Sequence, residues 1–545
     1  MIALVFAAGL VLPGLMAPLP QAQESGDLSQ EGGDVYEQVD RFVEVLQYIR
    51  AYYVDGTDDE ELIRAAVKRM LADLDPHTQF LEGEQYGDLR TGTKGTYTGV
   101  GMEVSTRRGY PVVVSPMEGT PAYDAGLQTG DFIVAIDGVD TFGILLQDAV
   151  RMLRGPKGAP VSLTVQREGE PERLEFTVVR DVIRIPSIPV CGVLRGDMGY
   201  ARVSRFSESV AHELETCLDG LDAEGIRGLI LDLRGNPGGL LMEAVKVCEL
   251  FVPEGKLLVS TKGRLSGDSI EYVSGSEKTR EIPLVILVGG GTASAAEIVA
   301  GAIQDWDLGL IVGEPTFGKG SVQRLMSVDE DKALKLTTSY YFTPSGRCIH
   351  RGDPDAAADD TGHTGASAAR TPEGEDTTVD PGPEGAERGG VDASGGEHEF
   401  MTAGGRKVFG GGGIMPDVIV GPAEVPPLAR RIRGRGLFFS FAVDYVGGNE
   451  EMEEPTVDSE TLEAFKEYLL DEGFSFEEDE FEAAGDAVSV GIRRELARRL
   501  KGDAYALLVA AEADAQLAEA LRLLKRASDR DHLLRLAEEG GGEKK

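Results

Sequence analysis

The chain has 545 residues, 41% of them hydrophobic, and carries a formal net charge of -39 at pH 7. That length accommodates three or four domains with real cores. The acidic balance argues against nucleic acid and against an anionic membrane surface as partners.

In chain order, Met1–Pro20 is apolar and uncharged, interrupted by Pro13, and reads as a signal-peptide core or N-terminal anchor within residues 1–23. Export is expected, with tethering and release left open. A helical segment is expected over residues 34–95. Its first helix, Tyr36–Tyr52, carries Val39, Phe42, Val43, Val45, Leu46 and Ile49 at helical spacing. The second starts at Thr57, with Glu60 in capping-box position, and stops near Asp75-Pro76. Residues 96–182 read as a β-rich domain. Its strands are expected at Thr98–Val104, Tyr110–Val114, Asp131–Ile136, Val161–Gln166 and Arg173–Val179, with a helix around Leu145–Leu153.

From residue 183 the pattern becomes α/β: strand Met198–Ser204, helix Ser207–Leu221, strand Gly228–Asp232 and helix Leu240–Phe251. Pro283–Gly289 is a short apolar run closed by glycines, the pattern of a buried strand, and Ser294–Ile303 reads as the helix after it. Strands Leu308–Val312 and Leu334–Phe342 follow. Residues 353–399 are almost devoid of apolar side chains and read as a disordered acidic insertion. A strand resumes at Gly413–Val420. Residues 426–545 form a helical extension, with periodicity over Ser459–Leu470, Ala487–Leu500 and Ala504–Leu524.

Ser294 thus sits where a strand hands over to a helix N-terminus, a place where backbone N–H groups point outward. Taken alone, Ser294 and Glu297 form the S-x-x-E capping box, and the serine reads as a cap. Lys319 alone reads as a turn lysine. Gly313–Lys319 also spells the front of a phosphate-binding loop, but Gly320 stands where the Mg²⁺-binding hydroxyl is required. The cysteines Cys191, Cys217, Cys248 and Cys348 show no C-x-x-C pair and no zinc spacing; disulfides stay open, with buried thiols favoured. Neither His212 nor His398 completes H-E-x-x-H, and no G-x-S-x-G elbow occurs. No metal or cofactor is expected.

Two blocks change the weighing. Thr292–Ala302 reads TASAAEIVAGA and Gly313–Gln323 reads GEPTFGKGSVQ. Together they resemble the C-terminal processing peptidases, or tail-specific proteases. The flanking stretches MLADLDPHTQFL (Met70–Leu81), LRGNPGG (Leu233–Gly239) and TPSGRCIH (Thr343–His350) resemble the same family. The resemblance implies a multidomain α/β protein whose protease domain, residues 183–352 and 400–425, has a crotonase- and ClpP-like fold. It makes Ser294 the nucleophile, Lys319 the general base and Gln323 the group that orients the lysine. Gly239, with Gly238 close behind, and Ala295 would supply the oxyanion-hole N–H groups.

The chemistry asks for these residue types. A serine hydroxyl is a weak nucleophile until a base takes its proton. A lysine is a base only when neutral, which requires apolar walls; Val312, Phe317 and Val322 are the expected walls. A neutral glutamine orients the amine without holding a charge on it. Residues 96–182 resemble a PDZ domain, including GVGMEV at Gly99–Val104. By that resemblance Gly99, Val100, Gly101 and Met102 form a carboxylate loop for peptide tails with apolar free C-termini, and Arg154 reaches the protease domain. The rival reading is a non-catalytic PDZ scaffold on an inactive protease fold. Substrate, membrane attachment and self-association stay undecided.

Overall fold

The computed structural model describes residues 35–540 apart from 168, 195–196, 330, 352–398, 450–451 and 512. The expected signal or anchor segment and nearly all of the acidic insertion lie outside these residues. Among the described residues, no helix is long and apolar enough to cross a membrane.

Of the described residues, 35–76 form a separate unit. It holds α1 (Val35–Tyr52) and α2 (Asp59–Ala72). The cap of α2 is Asp58 rather than Thr57: its carboxylate accepts from the Glu60 and Glu61 N–H groups at 2.8 and 3.1 Å, using the acceptor that best offsets the orphan donors of a first turn. The apolar stripe expected on α1 stays solvent-facing, with Val39, Phe42, Val43 and Val45 at 43–55% exposure.

The second unit begins at His77. It opens with β1 (Gln79–Glu82), α3 (Glu84–Lys94) and β2 (Thr96–Gly99). The β-rich domain follows: β3 (Met102–Arg107), β4 (Tyr110–Pro116), α4 (Pro121–Asp124), β5 (Phe132–Ile136), β6 (Val139–Asp140), α5 (Leu146–Leu153), β7 (Pro160–Gln166) and β8 (Leu174–Val179). The expected strand Thr98–Val104 is two strands, because Gly101 turns the chain at φ +84° and a side chain there would run into Thr120 at 2.4 Å. The sheet runs β3-β4-β5-β7-β8, with β6 paired to β5. One face carries a core of Val113, Ile133, Leu163 and Val165 under Ala149 and Leu153 of α5. Strand β9 (Asp181–Arg184) pairs back onto β2.

The protease-like domain is built on a six-stranded sheet ordered β10-β11-β12-β15-β16-β21: Val190–Leu194, Met198–Arg202, Gly228–Asp232, Leu284–Val288, Leu310–Gly313 and Val418–Ile419. Strand β10 is antiparallel to β11 and the rest run parallel. Parallel strands need cover on both faces, and β12 and β15 are buried at every residue. Leu229, Leu231, Ile286 and Val288 point to α6 (Val210–Ala223), α7 (Leu241–Glu249) and α8 (Ala295–Asp305). The alternate residues Ile230, Val285 and Leu287 point the other way. A second sheet joins β1 and β17 (Ser321–Ser327) to β18 (Lys332–Phe342), which continues to β13 (Leu257–Gly263) and β14 (Ile270–Val273). A short hairpin, β19 (Glu399–Met401) and β20 (Lys407–Phe409), precedes β21.

The helical extension divides in two. Helices α9 (Pro427–Gly434), α10 (Leu437–Gly447), α11 (Ser459–Asp471), α12 (Glu478–Ala483) and α13 (Gly485–Lys501) share a core around Phe438, Phe441 and Phe465. The expected helix Ala504–Leu524 is two, α14 (Asp503–Ala511) and α15 (Ala515–Arg526), because Asp514 caps α15 by accepting from the Gln516 and Leu517 N–H groups. Leu517, Ala520, Leu523 and Leu524 of α15, with Leu533 and Leu536 of α16 (Arg530–Gly540), cover the second face of the parallel sheet.

Cysteine usage divides between the two alternatives left open. Cys191 of β10 and Cys217 of α6 form a disulfide, while Cys248 and Cys348 are buried thiols. Antiparallel pairing of β10 with β11 brings Cys191 beside the helix that follows β11, a proximity that sequence spacing does not reveal.

Candidate active site

Ser294 lies between the end of β15 and the first turn of α8 with φ +56° and ψ -117°. That conformation is costly for a residue with a Cβ and persists only where its surroundings over-determine it. The surroundings do so through hydrogen bonds. Thr292 donates from its hydroxyl to the Leu233 carbonyl (2.8 Å), and the Ala293 N–H donates to the Asn236 carbonyl (2.9 Å). A strained strand–turn–helix serine is therefore present without the G-x-S-x-G spelling.

Glu297 is fully buried, and its carboxylate accepts four hydrogen bonds. Oε1 takes the Thr316 hydroxyl (2.5 Å) and the Gly318 N–H (2.8 Å); Oε2 takes the Ser294 N–H (2.8 Å) and the Lys319 N–H (2.9 Å). The expected capping box is present, and the same carboxylate also grips the lysine loop. Burial raises its pKa, and the four donors work in the opposite direction. From the other side the buried Tyr341 hydroxyl faces the carbonyls of Ser294 (3.0 Å) and Lys319 (2.5 Å). Burial, with the Glu297 charge beside it, holds that phenol well above its ordinary pKa, so it stays a donor. Two side chains therefore tie the backbones of Ser294 and Lys319 together. Sequence reading saw Glu297 only as a helix cap; its place in the TASAAEI block was the available signal.

Ser294, Ala295, Gly238, Gly239, Lys319 and Gln323 line one cleft of about 720 Å³. Its apolar walls are Leu240, Leu241, Ile298, Val322, Leu325 and Tyr341. Of the three expected walls only Val322 is among them. Phe317 is 49% exposed, and Val312 belongs to the core on the opposite face of the sheet. The alternation along β16 sends Val312 away from α8.

Gln323 donates from its amide to Ser321 Oγ (2.9 Å) and to Thr337 Oγ1 (3.4 Å). The Thr337 N–H in turn donates to Thr78 Oγ1 (3.1 Å), so Thr78 reaches the glutamine through one threonine. The glycine loop is equally fixed. A Cβ on Gly238 would lie 2.8 Å from Ser294 Cβ and 2.9 Å from the Ala295 nitrogen. The Gly238 N–H is committed to Asn236 Oδ1 (2.8 Å), which favours Gly239 over Gly238 as an N–H donor to a ligand. Gly239, at φ +148°, packs so closely on Phe206 that an added Cβ would meet its carbonyl oxygen at 2.2 Å.

Just ahead of that loop, buried Asp232 receives Arg234 through Nε (2.9 Å) and Nη2 (2.6 Å) and the Tyr200 hydroxyl (2.7 Å). Arg234 extends Nη1 to Asp514 (2.5 Å) and Gln516 (2.8 Å) at the start of α15.

The residues expected to form a carboxylate loop, Gly99, Val100, Gly101 and Met102, are not among those lining this cleft; they run from the end of β2 into β3. The Val100 carbonyl accepts from the Ala122 N–H (2.8 Å) and the Gly101 carbonyl from the Met117 N–H (2.9 Å). Arg154 reaches Asp88 of α3 (3.0 Å) and lies over the Tyr97 ring. Asp88 and neighbouring residues of α3 also line the serine cleft, so Arg154 touches the element that roofs the site rather than the parallel-sheet domain itself.

Comparison with known proteins identifies the family. Residues 197–358 match peptidase family S41, and residues 112–167 match the PDZ domain. The carboxy-terminal-processing protease of Bartonella bacilliformis is 38% identical over 349 residues, covering 63% of this chain and 79% of that protein. The carboxyl-terminal-processing protease of Synechocystis sp. is 39% identical over 294 residues, covering 52% and 68%. Among solved structures, a photosystem II D1 C-terminal processing protease is 31% identical with a TM-score of 0.33, covering 58% of this chain and 91% of that one. With a PDZ domain ahead of an S41 domain, and a relative matched over most of its length, the chain belongs to the carboxy-terminal-processing proteases and is a serine-type peptidase.

Proposed function

We propose that the chain is an exported endopeptidase in which a Ser-Lys-Gln arrangement cleaves proteins recognised by their C-terminal tails. The observation that carries this reading is the double tie, by Glu297 and Tyr341, between a strained serine and the lysine loop in one apolar-walled cleft. Ser294 Oγ attacks the scissile carbonyl while the neutral Lys319 amine takes the hydroxyl proton. The N–H groups of Gly239 and Ala295 receive the oxyanion. The Lys319 ammonium then gives its proton to the leaving amine, and an acyl-enzyme on Ser294 is left for water. Gln323, held by Ser321 and Thr337, orients the lysine as a neutral partner.

The PDZ domain, residues 96–182, holds the substrate's free carboxylate in the loop Gly99–Met102 and its apolar end beside α5. The protease domain, residues 183–352 and 400–425, has a crotonase- and ClpP-like plan. The Cys191–Cys217 disulfide supports an extracytoplasmic location, since such bridges persist in oxidising compartments.

The test uses an unfolded reporter protein with and without an apolar C-terminal tail. Tail-dependent degradation is expected for the wild type, and neither Ser294→Ala nor Lys319→Ala should degrade either form. Full-rate cleavage by the Lys319→Ala enzyme would refute the assignment.

A further inference from the structure

The PDZ sheet is covered on the face that turns away from α5. Val112, Val114 and Val134 are buried there without belonging to the domain's own core. Helix α10 supplies part of the cover: Val443 packs on Gly130, and Asp444 pairs with Arg107 at 3.1 Å. Nearby, Arg108 pairs with Glu472 at 2.6 Å. Towards β3 the cover opens into a cleft of about 450 Å³ lined by Glu103–Arg108 on one side and by α9, α10 and α13 on the other.

Two features of this cleft stand out. Strand β3 is the last strand of its sheet and pairs with β4 alone among the described residues, so its outer edge can receive another strand. The cleft is also basic in a chain of net charge -39. It contains Arg107, Arg108, Arg433, Arg435, Arg494 and Arg498 against three glutamates. Glu472 is paired with Arg108, and Glu495 is shared between Arg494 and Arg498 (2.5 and 2.9 Å). Arg433 faces Arg494, and burial together with that like charge lowers its pKa. Arg435 lies over the Phe474 ring.

A peptide added to β3 sends successive side chains to opposite faces. If the C-terminal residue and the second before it point towards α5, the penultimate residue and the third before the end point towards the arginines. We infer that this helical extension reads substrate tails together with the PDZ domain, with Arg433 and Arg435 selecting carboxylate side chains at those two outward positions. The inference rests on the tail-recognition reading above and adds a preference to it: tails that alternate apolar and acidic residues up to an apolar end.

The test uses the full chain carrying Ser294→Ala and fluorescein-labelled decapeptides ending Glu-Val-Glu-Val or Gln-Val-Gln-Val, each as free acid and C-terminal amide. The glutamate acid should bind about fivefold tighter than the glutamine acid, the sum of two half-exposed ion pairs. The advantage should fade above about 0.3 M salt, where the Debye length is short. Adding Arg433→Gln with Arg435→Gln should abolish the advantage while the glutamine acid binds as before, which also reports an intact fold. Equal affinity of the two acids, with both lost on amidation, overturns the arginine inference and leaves tail recognition standing. Absence of binding by either acid, or binding that ignores amidation, overturns both.

Discussion

Replacing Glu297 by glutamine separates positioning from folding. The carboxylate accepts from four donors at 2.5–2.9 Å, three of them backbone N–H groups that no side-chain rotation can redirect. Alanine would orphan all four, and at about 1–3 kcal/mol for each buried unpaired donor the loss approaches the stability of a whole domain. Glutamine keeps one oxygen. Its NH₂ is best placed at the Oε1 site, where the Thr316 hydroxyl, which already accepts from the Ile414 N–H, can turn to accept from it as well; the Gly318 N–H is then opposed and the Thr316 proton loses its acceptor. The stability loss should then be about 1–3 kcal/mol. The loop carrying Lys319 shifts relative to Ser294, and a misplacement of about 1 Å costs roughly 100-fold in rate.

The assays are urea unfolding, steady-state cleavage of a reporter peptide, and labelling of Ser294 by a fluorophosphonate. The expected result is a folded Glu297→Gln enzyme with kcat down about 100-fold, a near-constant KM and labelling slowed in parallel. Wild-type kcat in the folded variant, or a change confined to KM, would show that the carboxylate does not set the geometry.

Gly238→Ala should fold poorly or lose activity, since its Cβ would press on Ser294 Cβ at 2.8 Å from a backbone held at φ +93°; a variant with normal fluorophosphonate labelling would contradict this. Replacing both Cys191 and Cys217 by alanine should lower stability by about 3 kcal/mol, from the 26-residue separation that the bridge closes, as measured by urea midpoints. Burial pushes the Asp232 carboxyl up, but the Arg234 guanidinium and Tyr200 hydroxyl more than offset it, so its pKa lies below the ordinary range. Its contribution is therefore present above about pH 4 and lost as pH falls through the folded value. A melting-temperature profile should show a shallower acid limb in Arg234→Gln than in the parent; an unchanged limb would dismiss the network.

Much of the catalytic region was legible because its strands are uniform. Leu284–Val288 is buried on both faces, bounded by proline and glycines, and has no competing period. Helix α3 gave no such signal: Glu84–Lys94 has no buried residue and no apolar stripe, yet it roofs the serine cleft. The walls around Lys319 were misassigned because residue spacing along β16 does not state which face meets α8. Strain at Ser294 has no spelling at all, since it arises from Glu297, Asn236 and Leu233 acting together across the chain. The split of the helical extension was equally invisible: its segments read alike as amphipathic, and only tertiary packing sends one to the PDZ sheet and the other to the protease sheet.

The seating of α15 and α16 has a practical consequence for anyone trimming the protein. Ile230, Val285, Leu287, Leu310 and Val312 lose their apolar cover if the chain is cut before Asp514, and Arg234, a few residues ahead of the Gly238-Gly239 turn, loses Asp514 and Gln516 as anchors. A catalytic fragment ending at residue 425 would therefore present a greasy sheet to solvent and clump. The carboxyl-terminal helices work as the back wall of the hydrolase and cannot be discarded as an appendage.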